Sequence, residues 1–269
     1  MGLFQGKKGV ILGIANNRSI ASAVGQVLTD QGAELAVSFL PDPQGKMEKR
    51  VQSVVKDWNP QYVGPCDASN DESIDEYFKG VEGTLGKIDF LVHSIAFAPM
   101  DDIKCATLDC SRPGFLQAMD ISVYSLIATA KRAAELTNPG ASICAMTYFG
   151  GEKVIPGYNL MGVCKSALDQ TIRYLAHDLG PRSIRVNGIS AGPIRTLASS
   201  AVGDFKEMLK CNEAQSPLGR NVTTDEVAQS AAFLLSQMSS ATTGEILHVD
   251  SGYNIMGAPT NQLKEVLKS

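Results

Sequence analysis

Three side chains stand out as able to do chemistry together: Tyr148, Tyr158 and Lys165. Tyr158 and Lys165 are seven residues apart at the start of a helical segment. Seven residues make about two turns, roughly 10.5 Å of rise, and return to nearly the same face. A long lysine can lean back toward the tyrosine from there. A phenol with a pKa of about 10 still carries its proton at neutral pH. Such an O–H, backed by the positive potential of an ammonium group, can stabilise negative charge developing on a substrate oxygen. Tyr148, ten residues ahead, can border the same site. An arbitrary Tyr and Lys at this spacing are more often a solvated lysine and an amphipathic tyrosine, so their surroundings decide.

Those surroundings are an apolar strand followed by a helical stretch, repeated along the chain. The strand candidates are Gly9–Ile14, Glu34–Phe39, Tyr62–Cys66, Ile88–Ser94, Ser142–Thr147, Arg185–Ile189 and Glu245–Val249. Most are apolar on both parities, as strands covered on two faces must be. Helical segments are expected near Ile20–Gln31, Lys46–Trp58, Asp71–Leu85, Gly114–Leu136, Tyr158–Leu179 and Asp225–Ser236. Thr223-Thr224-Asp225-Glu226 reads as a capping box opening the last. Alternation implies right-handed crossovers and an α/β fold: one doubly wound parallel sheet, Rossmann-like, with helices on both faces. The chain reads as a single domain, residues 1–269, with a helical substrate lid at about 195–220 where the alternation breaks.

The turn after the first strand, Gly13 to Ala21, reads as a phosphate cradle that lacks the later glycines of G-x-G-x-x-G. Gly13 allows the tight turn, Ser19 offers a hydroxyl at the helix start, and Ala15 and Ala21 leave room. After the second strand no Arg or Lys precedes Lys46, which favours NADH over NADPH. Asp42 is a candidate ribose contact, with a turn role the plainer reading.

Composition excludes several other classes. The chain is 44% hydrophobic and 19% charged, with formal net charge −4, so no basic field draws it to nucleic acid or an anionic membrane. Apolar runs are too short to span a bilayer, and the first residues carry no signal segment. The six cysteines form no C-x-x-C pair, and neither they nor His177 and His248 show metal-ligand spacing. Cys66 and Cys144 read as buried thiols, His93 as a structural or cofactor-proximal histidine, and Asp101 and Asp102 as a solvated loop. A cytoplasmic protein is expected.

No tyrosine here has a lysine four residues downstream, so the usual Y-x-x-x-K of short-chain dehydrogenases is absent. Instead Tyr148, Tyr158 and Lys165 resemble the tyrosine pair and Y-x₆-K of bacterial enoyl-acyl-carrier-protein reductases, a divergent branch of that superfamily. Further matching segments run nearly the whole chain: Ser19-Ile20-Ala21, Cys66-Asp67, His93 to Pro99, Asp120-Ile121-Ser122, Arg185-Val186-Asn187, Ile189 to Ala198 and His248 to Gly252. The resemblance implies NADH-dependent reduction of trans-2-enoyl thioesters in the elongation cycle of type II fatty acid biosynthesis. It implies catalytic roles for Tyr148, Tyr158 and Lys165. It places Gly13, Ser19, Ile20, Leu40, Asp67, Ala68, Ile95, Lys165, Ile194, Arg195, Thr196, Leu197 and Ala198 around NAD. Ala98, Tyr148 and Tyr158 would border the substrate. Acyl carrier protein is the implied partner and a homotetramer the implied assembly, with Ile246–Met256 as an interface. Lys206, Lys210 and Arg220 are weighed equally as a carrier-docking patch and as routine surface charge.

Leu40, Thr147, Phe149 and Gly157 depart from the commoner residues of that family. Two rival readings remain. An ordinary short-chain alcohol or 3-ketoacyl dehydrogenase would carry Y-x-x-x-K and an upstream Ser. A non-catalytic dinucleotide-binding sensor would show an eroded Tyr/Lys pair.

Overall fold

Residues 2–196 and 205–266 are described by a computed structural model. Among them are seven strands: β1 (Lys8–Leu12), β2 (Glu34–Phe39), β3 (Tyr62–Pro65), β4 (Ile88–His93), β5 (Thr137–Thr147), β6 (Arg185–Ala191) and β7 (Ile246–Val249). They form one sheet in the order β3-β2-β1-β4-β5-β6-β7, every pair parallel. The expected doubly wound sheet is therefore what the chain adopts.

Successive strand residues feed opposite cores, as the period of two requires. Val10, Leu12, Leu91, Ile143 and Ala145 face one cluster with α3 (Asp71–Leu85), α6 (Ser125–Leu136) and α7 (Asn159–Leu179). Ile11, Val92, Cys144 and Met146 face the other, with α1 (Ile20–Asp30), α2 (Lys46–Val55) and α9 (Thr224–Leu235). Burial of both faces is why the central strands are runs rather than alternations.

Local signals set the helix starts. The Ser19 hydroxyl caps α1, Asn70 caps α3, and Thr223 with Glu226 closes the capping box on α9. Ahead of α2, whose N-cap is Gly45, the Asp42 carboxylate accepts from the amides of Gln44, Lys46 and Met47 at 3.0, 3.1 and 2.7 Å. Those bonds hold that carboxyl below its ordinary range. The turn role of Asp42 is the one it fills.

Four features differ from the expectation. The helix expected over Gly114–Leu136 is α5 (Arg112–Met119), a π-helical turn at Asp120–Tyr124, and α6. Two short helices went unforeseen, α4 (Met100–Lys104) and α10 (Asn261–Val266). Where the pattern predicts only a short helical piece around Asp204–Lys210, α8 runs Phe205–Gln215. Asp102 is not a solvated loop residue but a buried one in α4, accepting from the Ser111 amide at 2.6 Å and the Ser111 hydroxyl at 3.1 Å. Among the described residues no helix is long and apolar enough to cross a membrane.

Candidate active site

The candidate residues fall on one edge of the sheet. Gly13 follows β1, Leu40 follows β2, Asp67 and Ala68 follow β3, Ile95 and Ala98 follow β4, Tyr148 follows β5 and Ile194 follows β6. All are at carboxyl ends, and β1 and β4 are where strand order reverses. In open α/β sheets the ligand crevice lies outside this edge, at the reversal.

At the reversal the backbone passes very close. Gly13 has φ +97°, and a Cβ there would lie 2.1 Å from the Ser94 carbonyl oxygen. A side chain would both strain the turn and block the approach of β1 to β4. Ser19 donates to the Asn16 carbonyl at 2.8 Å and caps α1, which fixes the helix N-terminus beside this turn. Ile20 is half-buried against the core. Asp67 accepts from the Ser69 amide and hydroxyl at 2.9 and 2.7 Å, Ala68 is buried, and Leu40 is 55% exposed. Ile95 and Ile194 are half-buried on opposite cores, Arg195 is exposed, and Thr196 is engaged with a neighbour. Leu197 and Ala198 lie outside the described residues.

The Tyr148 and Tyr158 rings meet edge to face, with centroids 4.8 Å apart. The Tyr148 hydroxyl also lies 3.7 Å from Met208 Sδ on α8. Burial, then the neighbouring Tyr148, pushes the Tyr158 phenol well above its ordinary value, so it keeps its proton. Tyr148 is shifted the same way, chiefly by burial. Lys165 is 5% exposed and donates to the Met146 carbonyl at 2.9 Å. Burial pulls its ammonium down to about 8, opposed by the Asp169 carboxylate. Lys165 therefore stays mostly protonated at neutral pH.

Supporting residues complete the site. Gly157, one of the departures from the family pattern, has φ +79°, a region glycine adopts without a Cβ penalty. Asn159 follows at φ +40° and donates to the Ile103 and Cys105 carbonyls at 2.9 and 2.7 Å, pinning α4 to the start of α7. Ser122, in the π-helical turn, accepts from the Phe97 amide at 3.0 Å and donates to the Phe97 carbonyl at 2.9 Å. That pair of bonds ties the loop after β4 to the π-helical turn; π turns are frequent at functional sites.

His93 is fully buried at the end of β4. Its Nε2 lies 2.8 Å from Ser125 Oγ, whose own proton goes to the Ile121 carbonyl at 2.7 Å. By that network Nε2 donates. Burial, with Lys165 next, pulls His93 down to about 3, so the ring is neutral at pH 7. Cys66 and Cys144 are buried thiols, each pushed up to about 12 by desolvation. In the proposed docking patch Arg220 already pairs with Glu226 through two bonds, and Lys210 with Glu207 at 3.3 Å.

The enoyl-(acyl carrier protein) reductase family profile matches residues 13–254. An NADH-type enoyl-[acyl-carrier-protein] reductase of Rhizobium meliloti is 50% identical over 256 residues, covering 95% of this chain and 93% of that one. Among solved structures, an Anaplasma phagocytophilum enoyl-(acyl-carrier-protein) reductase in complex with NAD superposes with TM-score 0.91 at 42% identity. The match covers 97% of this chain and 96% of that one. A Bacillus cereus enoyl-acyl carrier protein reductase with NADP+ superposes with TM-score 0.92 at 43% identity, covering 96% and 100%.

Proposed function

The chain belongs to the enoyl-(acyl carrier protein) reductase family, and we propose that it reduces trans-2-enoyl thioesters on acyl carrier protein to saturated acyl thioesters, with NADH as donor, in type II fatty acid elongation. The observation that carries this reading is the Tyr148–Tyr158 ring pair at the carboxyl edge of the sheet, with the buried Lys165 on the helix that Tyr158 opens.

The crevice suits a dinucleotide. Bare Gly13 lets the turn pack directly against the end of β4, and the capped N-terminus of α1 beside it presents backbone amides to a diphosphate. Gly13, Ser19 and Ile20 would hold the diphosphate and ribose; Leu40, Asp67 and Ala68 the adenine; Ile95, Lys165 and Ile194 to Ala198 the nicotinamide half. When bound, NADH supplies the hydride that reaches the β-carbon of the enoyl thioester. The chain's own residues manage the charge that results. Tyr158, half-buried and raised above the ordinary phenol value, keeps its proton and donates a hydrogen bond to the thioester oxygen as that oxygen becomes an enolate. Lys165 orients the ribose hydroxyls and adds positive potential. Tyr148 and Ala98 shape the acyl pocket, and α8, which meets the Tyr148 hydroxyl through Met208, borders it.

The protein works in the cytoplasm as a homotetramer in this reading. Support comes from large apolar side chains left exposed on α5, α6 and α7, among them Leu116 at 60% and Tyr174 at 64%, and from β7 at the open edge of the sheet. The rival dehydrogenase has no support from the Tyr/Lys spacing. The test is Tyr158→Phe assayed with crotonyl thioester and NADH. A fall in kcat of about 10²-fold with cofactor affinity retained is expected; near-normal turnover would remove Tyr158 from the mechanism.

A further inference from the structure

Asp169 lies one helical turn beyond Lys165 on α7 and is 4% exposed. Four residues apart on a helix, the two share a face. A buried carboxylate needs partners, and this one accepts a 2.5 Å bond from the Thr147 hydroxyl. Thr147 ends β5 and immediately precedes Tyr148. On its other side the turn after Tyr148 closes in: a Cβ on Gly151 would lie 2.7 Å from Asp169 Oδ2 and 2.8 Å from the Lys165 carbonyl carbon. Asp169 thus touches the strand end and the turn that carry Tyr148, from the helix that carries Lys165.

We propose that Asp169 is a positioning residue for the reduction: its carboxylate staples the Tyr148 segment to α7, and its charge keeps Lys165 an ammonium ion at neutral pH. This rests on the reading that Lys165 serves the reaction. The one hydrogen bond described for the lysine goes to a neutral carbonyl, which cannot replace a counter-ion. The other titratable groups around the pair do not supply one. Burial keeps His93 neutral, and the Cys164 thiol is pushed up to about 11. Burial raises the Asp169 carboxyl above its ordinary range, the Thr147 bond and Lys165 draw it back, and Glu152 and Arg173 act on it in opposite senses. The same carboxylate adds to the forces that keep Tyr158 protonated.

Asp169→Asn keeps the shape and an oxygen for Thr147 but removes the charge; Asp169→Glu restores the charge. Lys165 is titrated by NMR in protein carrying ¹³C-labelled lysine, with Lys165→Arg identifying its signal. In Asp169→Asn its midpoint should fall by about one unit or more, and in Asp169→Glu it should return. The alkaline limb of kcat with crotonyl thioester should move down in parallel. A melting temperature and kcat that drop at every pH, with the lysine midpoint unmoved, would mean a merely structural carboxylate and overturn the proposal. If Asp169→Asn does not fold, the wild-type titration decides: a Lys165 midpoint above neutrality supports the proposal and one below it does not. A wild-type protein inactive on crotonyl thioester defeats the enoyl-reductase reading, while the lysine titration still decides the role of Asp169.

Discussion

Gly13→Ala and Gly83→Ala make the same chemical change at two glycines and should give opposite results. At Gly13 the added methyl meets two penalties. Its φ of +97° is strained for any residue with a Cβ, at about 1–2 kcal/mol. The methyl would also lie 2.1 Å from the Ser94 carbonyl oxygen, which is backbone and cannot swing aside. Overpacking of that kind costs about 1–3 kcal/mol. The sum, about 2–5 kcal/mol, corresponds to a melting temperature lower by roughly 4–20 °C in a chain of this size. Separation of β1 from β4 also opens the cradle, so NADH affinity should fall at least about tenfold, about 1.4 kcal/mol. Gly83 is exposed inside α3, and its Cβ would meet nothing within 4 Å. Alanine there should stabilise the helix by about 0.5–1 kcal/mol and leave NADH binding alone. Thermal melting and NADH fluorescence titration measure both effects. A Gly13→Ala protein with wild-type melting and wild-type NADH affinity would refute the placement of the cradle at the β1–β4 reversal.

Other outcomes follow from the same contacts. Asn159→Ala removes both bonds to the Ile103 and Cys105 carbonyls, so stability should fall by about 1–3 kcal/mol, and KM for the thioester should rise; equal steady-state constants would separate α4 from the pocket. Glu226 is held down at about 2, first by Arg220 and then by the Thr223 amide and hydroxyl, against an ordinary value of 4.5. Because the folded value is the lower one, its contribution is present above pH 4.5 and lost as pH falls toward 2. Melting curves should show Glu226→Gln destabilised at pH 7, with the gap to wild type closing across that acidic window. Lys206→Glu with Lys210→Glu should raise the apparent KM for a carrier-linked enoyl substrate and spare a coenzyme A analogue; equal effects would exclude the patch. NADH should bind more tightly than NADPH, and the reverse order in a direct titration would overturn the cofactor preference.

The positions of the seven strands along the chain, and the Tyr/Lys pair after the fifth, were legible because two-sided burial writes most strands as apolar runs. The start of β5 was not: Thr137-Asn138-Pro139-Gly140 carries no apolar signal, yet Thr137 pairs with Ile88. Short α4 and α10 have too few turns to show a period. The π-helical turn at Asp120–Tyr124 is bound to a distant loop through Ser122 and Phe97, a contact no local pattern encodes. Asp102 and Asp169 look like ordinary acidic residues in the sequence. Their burial follows from Ser111 in one case and from Thr147 and Gly151 in the other, all remote from them along the chain or across the fold. Gly157 looked like a departure from the family, and its left-handed φ accounts for it.

The central claim is that Tyr158 and Lys165 serve the reduction of a carbon–carbon double bond conjugated to a thioester. NADH oxidation followed at 340 nm with crotonyl thioester, and in parallel with acetoacetyl thioester, tests it most directly. The account predicts rapid oxidation with the enoyl substrate and none above background with the ketoacyl one. Turnover of the ketoacyl substrate with the enoyl substrate inert would contradict it.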